Sequence, residues 1–380
     1  MFCLDTGYEG HKFFCNKSNG DWVISSDKNH PKIREISEKY PIHEPFIGTQ
    51  MIVMNISRVC NFDCKYCFAE DLKGPDRMNE AVGRKAIDRV FELPERSRRV
   101  VFHGNEPMTN YPLIKDLVDY AKNKGKITFT MQTNGSIMDA DQLEFLSREK
   151  VGIGISLDGL ARHHNQSRPY RGGFTSFDDV VRTIRKVKAA QGGISVITVV
   201  TKNNVNDLDE IVNSFGDLGI DSVSFNPTYP HLSDEYCPSQ EDLSRNMTHL
   251  FDKEINRVIG GNPGTAIVNL RDILRTFFIP KNTLNCVRCS GSKIHPLIGI
   301  DIDGSIYPCD LFWKRDEFKM GDISQMSLSE SFNSPKNFRT YRNPREVEQC
   351  SSCDWLTFCG AECPGVSIRC DHSITSKGYY

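Results

Sequence analysis

The stretch NISRVCNFDCKYCFAED, residues 55–71, decides how the rest of the chain is read. It carries Cys60, Cys64 and Cys67 in a C-x3-C-x2-C spacing, between an apolar run and a polar one. Thiolates are soft ligands that suit zinc or iron–sulfur clusters. A closed structural site takes four protein ligands, so three thiols leave one position to be filled from elsewhere. Either a residue such as His103 or a distant cysteine completes a zinc site, or a small molecule completes an iron site.

The chain around this loop alternates short β-rich runs with helix-length segments. The runs are TQMIVMNIS (49–57), RRVVFHG (98–104), KITFTMQTNG (126–135), VGIGISLDG (151–159), ISVITVVT (194–201) and SVSFNPTYP (222–230). Their Val/Ile/Phe content suits parallel strands covered on both faces. Helical patterns fall near 79–92, 111–124, 140–149, 176–190 and 207–218, with Asp139 as a candidate cap. Strict alternation predicts an α/β fold with a parallel sheet, either doubly wound or closed into a partial barrel. In both, the loops after the strand C-termini build the site. The cysteine loop, HGNEP (103–107), QTNG (132–135) and SLDG (156–159) therefore gather at one mouth.

The totals narrow the class. Net charge is −2 over 380 residues, which gives no footprint for nucleic acid or a membrane surface. No run reaches the ~18 apolar residues of a membrane span, and the N-terminus lacks signal-peptide character, so a cytoplasmic protein is expected. In that compartment 14 cysteines are not a disulfide framework. Residues 68–236 contain no cysteine, whereas Cys286 to Cys370 contains eight, the clustering that metal ligands require.

With the loop and its neighbours in view, the sequence resembles the radical S-adenosylmethionine (SAM) enzymes. The resemblance implies a partial (β/α)6 TIM-like barrel in which Cys60, Cys64 and Cys67 hold a [4Fe–4S] cluster and SAM fills the open iron position. In that family the reduced cluster cleaves SAM to a 5′-deoxyadenosyl radical, which abstracts a hydrogen atom from the substrate. HGNEP resembles the family's Gly-Gly-Glu-Pro, implying contacts to SAM from Gly104, Asn105 and Glu106. Asn105 replaces a glycine there, and Asn is the non-glycine residue that best tolerates a left-handed backbone. The resemblance also places Tyr66, Phe68, Gln132, Asn134 and Ser156 around SAM, and pairs Arg168, in HHNQSRPYRGGFTSF (163–177), with its carboxylate.

The C-terminal cysteines follow Cys286-x2-Cys289-x19-Cys309 and Cys350-x2-Cys353-x5-Cys359-x3-Cys363-x6-Cys370. This resembles the SPASM extension, which carries two auxiliary [4Fe–4S] clusters. The resemblance assigns Cys289, Cys309 and Cys363 to the first, with Cys286 as its fourth ligand, and Cys350, Cys353, Cys359 and Cys370 to the second. A zinc ribbon pairing Cys286 and Cys289 with Cys350 and Cys353 would strand the other four. Cys3, Cys15 and Cys237 are given no ligand role. The expected organisation is a β-containing lead over 1–47, with a hairpin turning at 18–21, then a radical SAM core over 48–235. A helical connector over 236–285 and a cluster domain over 286–380 follow.

The resemblance implies an oxidoreductase that modifies a peptide or protein, with electrons from a flavodoxin or ferredoxin. The leading expectation is maturation of a small ribosomally made peptide by a thioether or carbon–carbon crosslink, favoured by the N-terminal lead. The alternative is an anaerobic sulfatase-maturing enzyme that oxidises Cys or Ser to formylglycine. It is favoured by Asp310 directly after Cys309, the place of that family's proposed base. A zinc-stabilised binding module without catalysis is the remaining reading.

Overall fold

The computed structural model describes residues 2–5, 12–15, 22–27, 29, 31, 48–230, 234–259, 261, 264–278, 294–348, 350–354, 356, 361, 363–370 and 373–376. The chain divides into two compact units. One comprises Met1–Gly48, Leu270–Pro296 and Phe338–Tyr379, and the other Thr49–Asn269 and Leu297–Asn337, with Tyr380.

In the first unit, β1 (Phe2–Asp5), β2 (Lys12–Cys15) and β3 (Trp22–Ser25) form an antiparallel meander, with Cys15 opposite Trp22. The expected hairpin is β2–β3; its turn lies outside the described residues. Near the C-terminus the buried Arg342 guanidinium donates to the carbonyls of Ala361 (2.8 Å) and Ile374 (2.9 Å).

The second unit carries the barrel. The strands β4 (Gly48–Ser57), β5 (Arg99–Gly104), β6 (Thr128–Thr133), β7 (Gly152–Ser156), β8 (Ser195–Val200) and β9 (Ser222–Pro227) lie side by side in chain order, all parallel. These are the six runs read from the sequence. Between them come α1 (Glu80–Phe91), α2 (Tyr111–Lys122), α3 (Ala140–Arg148), α4 (Ala161–Ser167), α5 (Phe177–Gln191) and α6 (Leu208–Asp217). Only α4 escaped the sequence reading, because seven residues show too little periodicity. Asp139 caps α3 in a reciprocal box: its Oδ1 accepts from Gln142 N (2.8 Å) and Gln142 Oε1 accepts from Asp139 N (3.1 Å). After α7 (Gln240–Ile259), β10 (Ala266–Ile267) adds in parallel beyond β9 and leads into α8 (Val268–Phe278). On the other edge, β11 (Ile294–Ile300) lies beside β4, followed by β12 (Ser305–Tyr307) and β13 (Gly321–Asp322), both antiparallel.

Strand parity sorts the side chains. Val100 and Phe102, Phe129 and Met131, Ile153 and Ile155, and Val223 and Phe225 are buried at alternate positions. The intervening residues are mostly small or polar: Thr130, Gln132, Gly152, Gly154, Ser156, Ser195 and Ser224. One face is thus packed, and the other carries mostly small and polar residues. A register shift between Asn55 and Ser57 bulges β4 where it meets Gly104, and the cysteine loop leaves the sheet from that point.

Candidate active site

The cysteine loop is held by three short backbone bonds to residues more than a hundred positions later. Arg171 N donates to Asn61 O (3.0 Å), Asp63 N to Pro169 O (2.9 Å) and Lys65 N to Ser167 O (3.0 Å). Phe62 and Tyr170 bridge antiparallel, with rings 4.9 Å apart and edge-on. Cys67 N donates to Cys64 O (3.2 Å), closing the C-x2-C turn. The same turn recurs in the first unit, where Cys353 N donates to Cys350 O (3.0 Å).

The other three motifs all reach this loop. Asn105 N donates to Ser57 O (2.9 Å) and Glu106 N to Val59 O (3.0 Å). Gly104 takes φ +125°, and a Cβ there would collide with Ser57 O and Asn55 Oδ1. Asn105, by contrast, is not left-handed. Its amide Nδ2 donates to Ala69 O (2.9 Å), so the residue tethers the cysteine loop instead of supplying backbone freedom.

Glu106 is fully buried. Its Oε1 accepts from Met108 N (3.0 Å) and Thr133 Oγ1 (2.7 Å), and its Oε2 from Asn134 N (2.7 Å). Burial raises its pKa, and these bonds partly offset the rise. Asn134 Nδ2 donates to Asn61 Oδ1 (2.8 Å), beside Cys60. Gln132 Nε2 and Ser156 Oγ meet at 3.3 Å on adjacent strands, on the face of small and polar residues. The sequence reading missed Asn61, which joins the cysteine loop to the QTNG loop.

Asp158, also missed, is fully buried beneath the cysteine loop. Its Oδ2 accepts from Tyr66 OH and lies 3.0 Å from Arg168 Nε; its Oδ1 accepts from Val199 N (3.0 Å). Arg168 Nη1 stands 4.0 Å from Cys64 Sγ, and its guanidinium covers the Tyr66 ring at 5.4 Å. Asp158 was legible as part of SLDG, but nothing local marks it as the partner of residues 92 positions earlier.

A further group lies between β5 and the β12–β13 hairpin. The His103 ring is 6.3 Å from Phe68 and 6.1 Å from Trp313, and its Nδ1 is buried without a partner. Burial lowers the His103 pKa, and the charge that opposes this is Asp310. Cys309, immediately before Asp310, is buried. Cys350, Cys363 and Cys370 are half-buried and Cys353 exposed, all in the first unit. Cys286, Cys289 and Cys359 lie outside the described residues.

The donor set fits a cluster. Burial pushes the Cys60 thiol up to about 11 and Cys64 up to about 12, so thiolates there need a positive partner beyond Arg168 and Lys73. Among the described residues no three His, Cys, Asp or Glu side chains converge on one point, as a single ion would need. A cubane asks for something else, since each thiolate meets its own iron corner.

Known proteins give the family and the fold. Residues 54–215 match the family model of the radical SAM superfamily, and residues 289–354 match the iron-sulfur cluster-binding domain SPASM. The chain belongs to the radical SAM/SPASM enzymes. A cysteine-type anaerobic sulfatase-maturating enzyme of Clostridium perfringens is 26% identical, over 87% of this chain and 92% of that protein. The solved structure of anSMEcpe with bound AdoMet and the Cp18Cys peptide has a TM-score of 0.75 at 24% identity, covering 87% of this chain and 93% of that one. Streptococcus suis SuiB bound to S-adenosylmethionine gives 0.67 at 17%, covering 91% and 80%. The fold is therefore the partial radical SAM barrel with a SPASM domain. As a radical SAM/SPASM enzyme the chain is an oxidoreductase-type maturase that uses SAM and iron–sulfur clusters. Among the described residues no helix is long and apolar enough to cross a membrane.

Proposed function

We propose that this enzyme oxidises a cysteine or serine side chain of a peptide or protein to formylglycine. What supports the reading is the position of Asp310 directly after the buried Cys309, in the turn that carries Trp313, whose ring lies 6.1 Å from that of His103 at the end of β5. When bound, SAM and its cluster supply the radical that takes a hydrogen atom from the substrate Cβ. The chain's own residues do the rest. Glu106 and Arg168 offer charge to the amino and carboxylate groups of SAM, while Gly104, Gln132, Asn134 and Ser156 line its loops. Asp310 accepts the thiol or hydroxyl proton of the substrate. A cluster held by the auxiliary cysteines would take up the second electron, leaving C=O directly from serine or C=S from cysteine, which water would hydrolyse to the aldehyde with release of sulfide. The external electron donor is a flavodoxin or ferredoxin. The full enzyme holds three [4Fe–4S] clusters.

The crosslinking reading stays as the second one, favoured by the β1–β3 meander that precedes the barrel in the sequence. Asp310→Asn separates the two. It keeps the shape and removes the basic carboxylate. With a Cys- or Ser-containing sulfatase-type peptide, the parent enzyme should give an aldehyde trapped by a hydrazine reagent. The variant should still cleave SAM reductively but lose product by ~10²–10⁴-fold. A product lighter by two hydrogens, joined to a second residue in fragment spectra and indifferent to Asp310→Asn, would replace this reading with the crosslink.

A further inference from the structure

The trio of half-buried Tyr66 and buried Asp158 and Arg168 does more than shape a loop. Asp158 lies 3.0 Å from Arg168 Nε, while Arg168 Nη1 is the nitrogen near Cys64. One oxygen of Asp158 accepts from the Tyr66 hydroxyl and forms the ion pair with Arg168, and the other accepts from the Val199 amide. Arg168 is anchored at both backbone ends as well: its N donates to His164 O (2.7 Å), and its O accepts from Ser176 Oγ (2.6 Å). The guanidinium is thus fixed in place, with Nη1 directed at Cys64 Sγ across 4.0 Å. Arg168 is 9% exposed and Asp158 0%, so water screens neither charge well.

We infer that the buried Arg168 cation beside Cys64, opposed by the Asp158 anion, sets the reduction potential of the cluster on the cysteine loop. The inference rests on the assignment of that cluster to Cys60, Cys64 and Cys67. The physical cause is the charge change on reduction. The cluster gains one negative charge when it takes one electron, so a nearby buried cation favours the reduced form and a nearby anion disfavours it. Arg168 and Asp158 oppose each other, and Arg168 is the member directed at the sulfur. A pure loop clamp would make no distinction between the signs of the two charges.

The test is a redox titration of the anaerobically reconstituted full-length enzyme without SAM, read by electron paramagnetic resonance. The signal of interest is identified by its absence in the Cys60→Ala/Cys64→Ala/Cys67→Ala protein. Arg168→Gln removes the cation and should shift the equilibrium about tenfold toward the oxidised form, about 59 mV downward for one electron. Arg168→Lys restores a charge and should recover most of that shift. Asp158→Asn leaves the cation with no anion but the cluster, and should move the potential upward. Equal potentials in Arg168→Gln, Asp158→Asn and parent, or shifts of the same sign, overturn the inference. Failure of both variants to take up iron at this loop, with Tyr66→Phe loading normally, also overturns it in favour of a structural clamp. A parent enzyme with no such signal would instead remove the cluster assignment beneath it.

Discussion

Arg58 Nη2 donates to Asp301 Oδ2 across 2.6 Å, joining the start of the cysteine loop to the turn after β11, 243 positions later. Asn55 Nδ2 donates to the other oxygen of Asp301 at 2.7 Å. The Asp301 side chain is 2% exposed and that of Arg58 12%, so this is a buried pair. Through it, the hairpin that leads to Cys309 and Asp310 is tied to the root of the loop bearing Cys60.

Breaking one half of that pair should be costly. Asp301→Ala leaves a buried guanidinium and a buried amide unpaired, and should lower stability by about 3–5 kcal/mol in anaerobic urea unfolding. The double variant Arg58→Met/Asp301→Leu should lose less than Asp301→Ala alone, because no charge is stranded. A double variant clearly less stable than the single one would contradict this account.

Gly104→Ala should disable the SAM loop without touching a thiol. At φ +125° any Cβ is strained, and here it also meets Ser57 O and Asn55 Oδ1. The cost should be at least ~1–3 kcal/mol in stability, with weakened SAM binding by calorimetry. A parental melting temperature with parental SAM affinity would show that the loop tolerates a side chain.

Glu106 predicts a pH dependence with a definite sign. Its folded pKa is raised above the ordinary 4.5 by burial, so the folded state holds its proton more tightly than the unfolded chain does. The associated stability is present below 4.5 and is lost as pH rises through the raised folded value. Glu106→Gln should flatten that part of the stability curve. It should also weaken SAM binding, since the cation loses its carboxylate, by about tenfold to a hundredfold. A variant with the parental slope would place the titrating group elsewhere.

Removing the three thiols tests the cluster count. If the enzyme holds three clusters, the anaerobic protein carries about twelve iron atoms, four in each. Changing Cys60, Cys64 and Cys67 to Ala should remove about a third and abolish SAM cleavage. Stoichiometric zinc with little iron in the reconstituted parent would refute the cluster reading altogether.

Much of the barrel was legible because its signals are local. Alternating Val/Ile/Phe runs, the Asp139 cap and the glycines of the turns each act over a few residues. Likewise, the motifs at the strand ends could be placed at one mouth from topology alone. What stayed hidden depends on distant partners. Asp158 is one acidic residue among many until Tyr66 and Arg168 are seen against it, and Asp301 reads as a turn residue until Arg58 reaches it. Asn105 misled in a different way. The pattern of glycines implied a need for backbone freedom at that position, whereas the freedom is used at Gly104 and the Asn side chain acts as a tether.

The backbone bonds from residues 61–65 to residues 167–171 also set an order of events during synthesis. A ribosome adds about 5–20 residues per second, so the nascent cysteine loop waits on the order of 5–20 s before its partner segment exists. During that interval the three thiols have neither Arg168 beside them nor the Phe62–Tyr170 contact behind them. Iron delivered then would meet an unformed site, and oxygen would meet exposed sulfur. Cluster assembly thus belongs after the chain has passed residue 171.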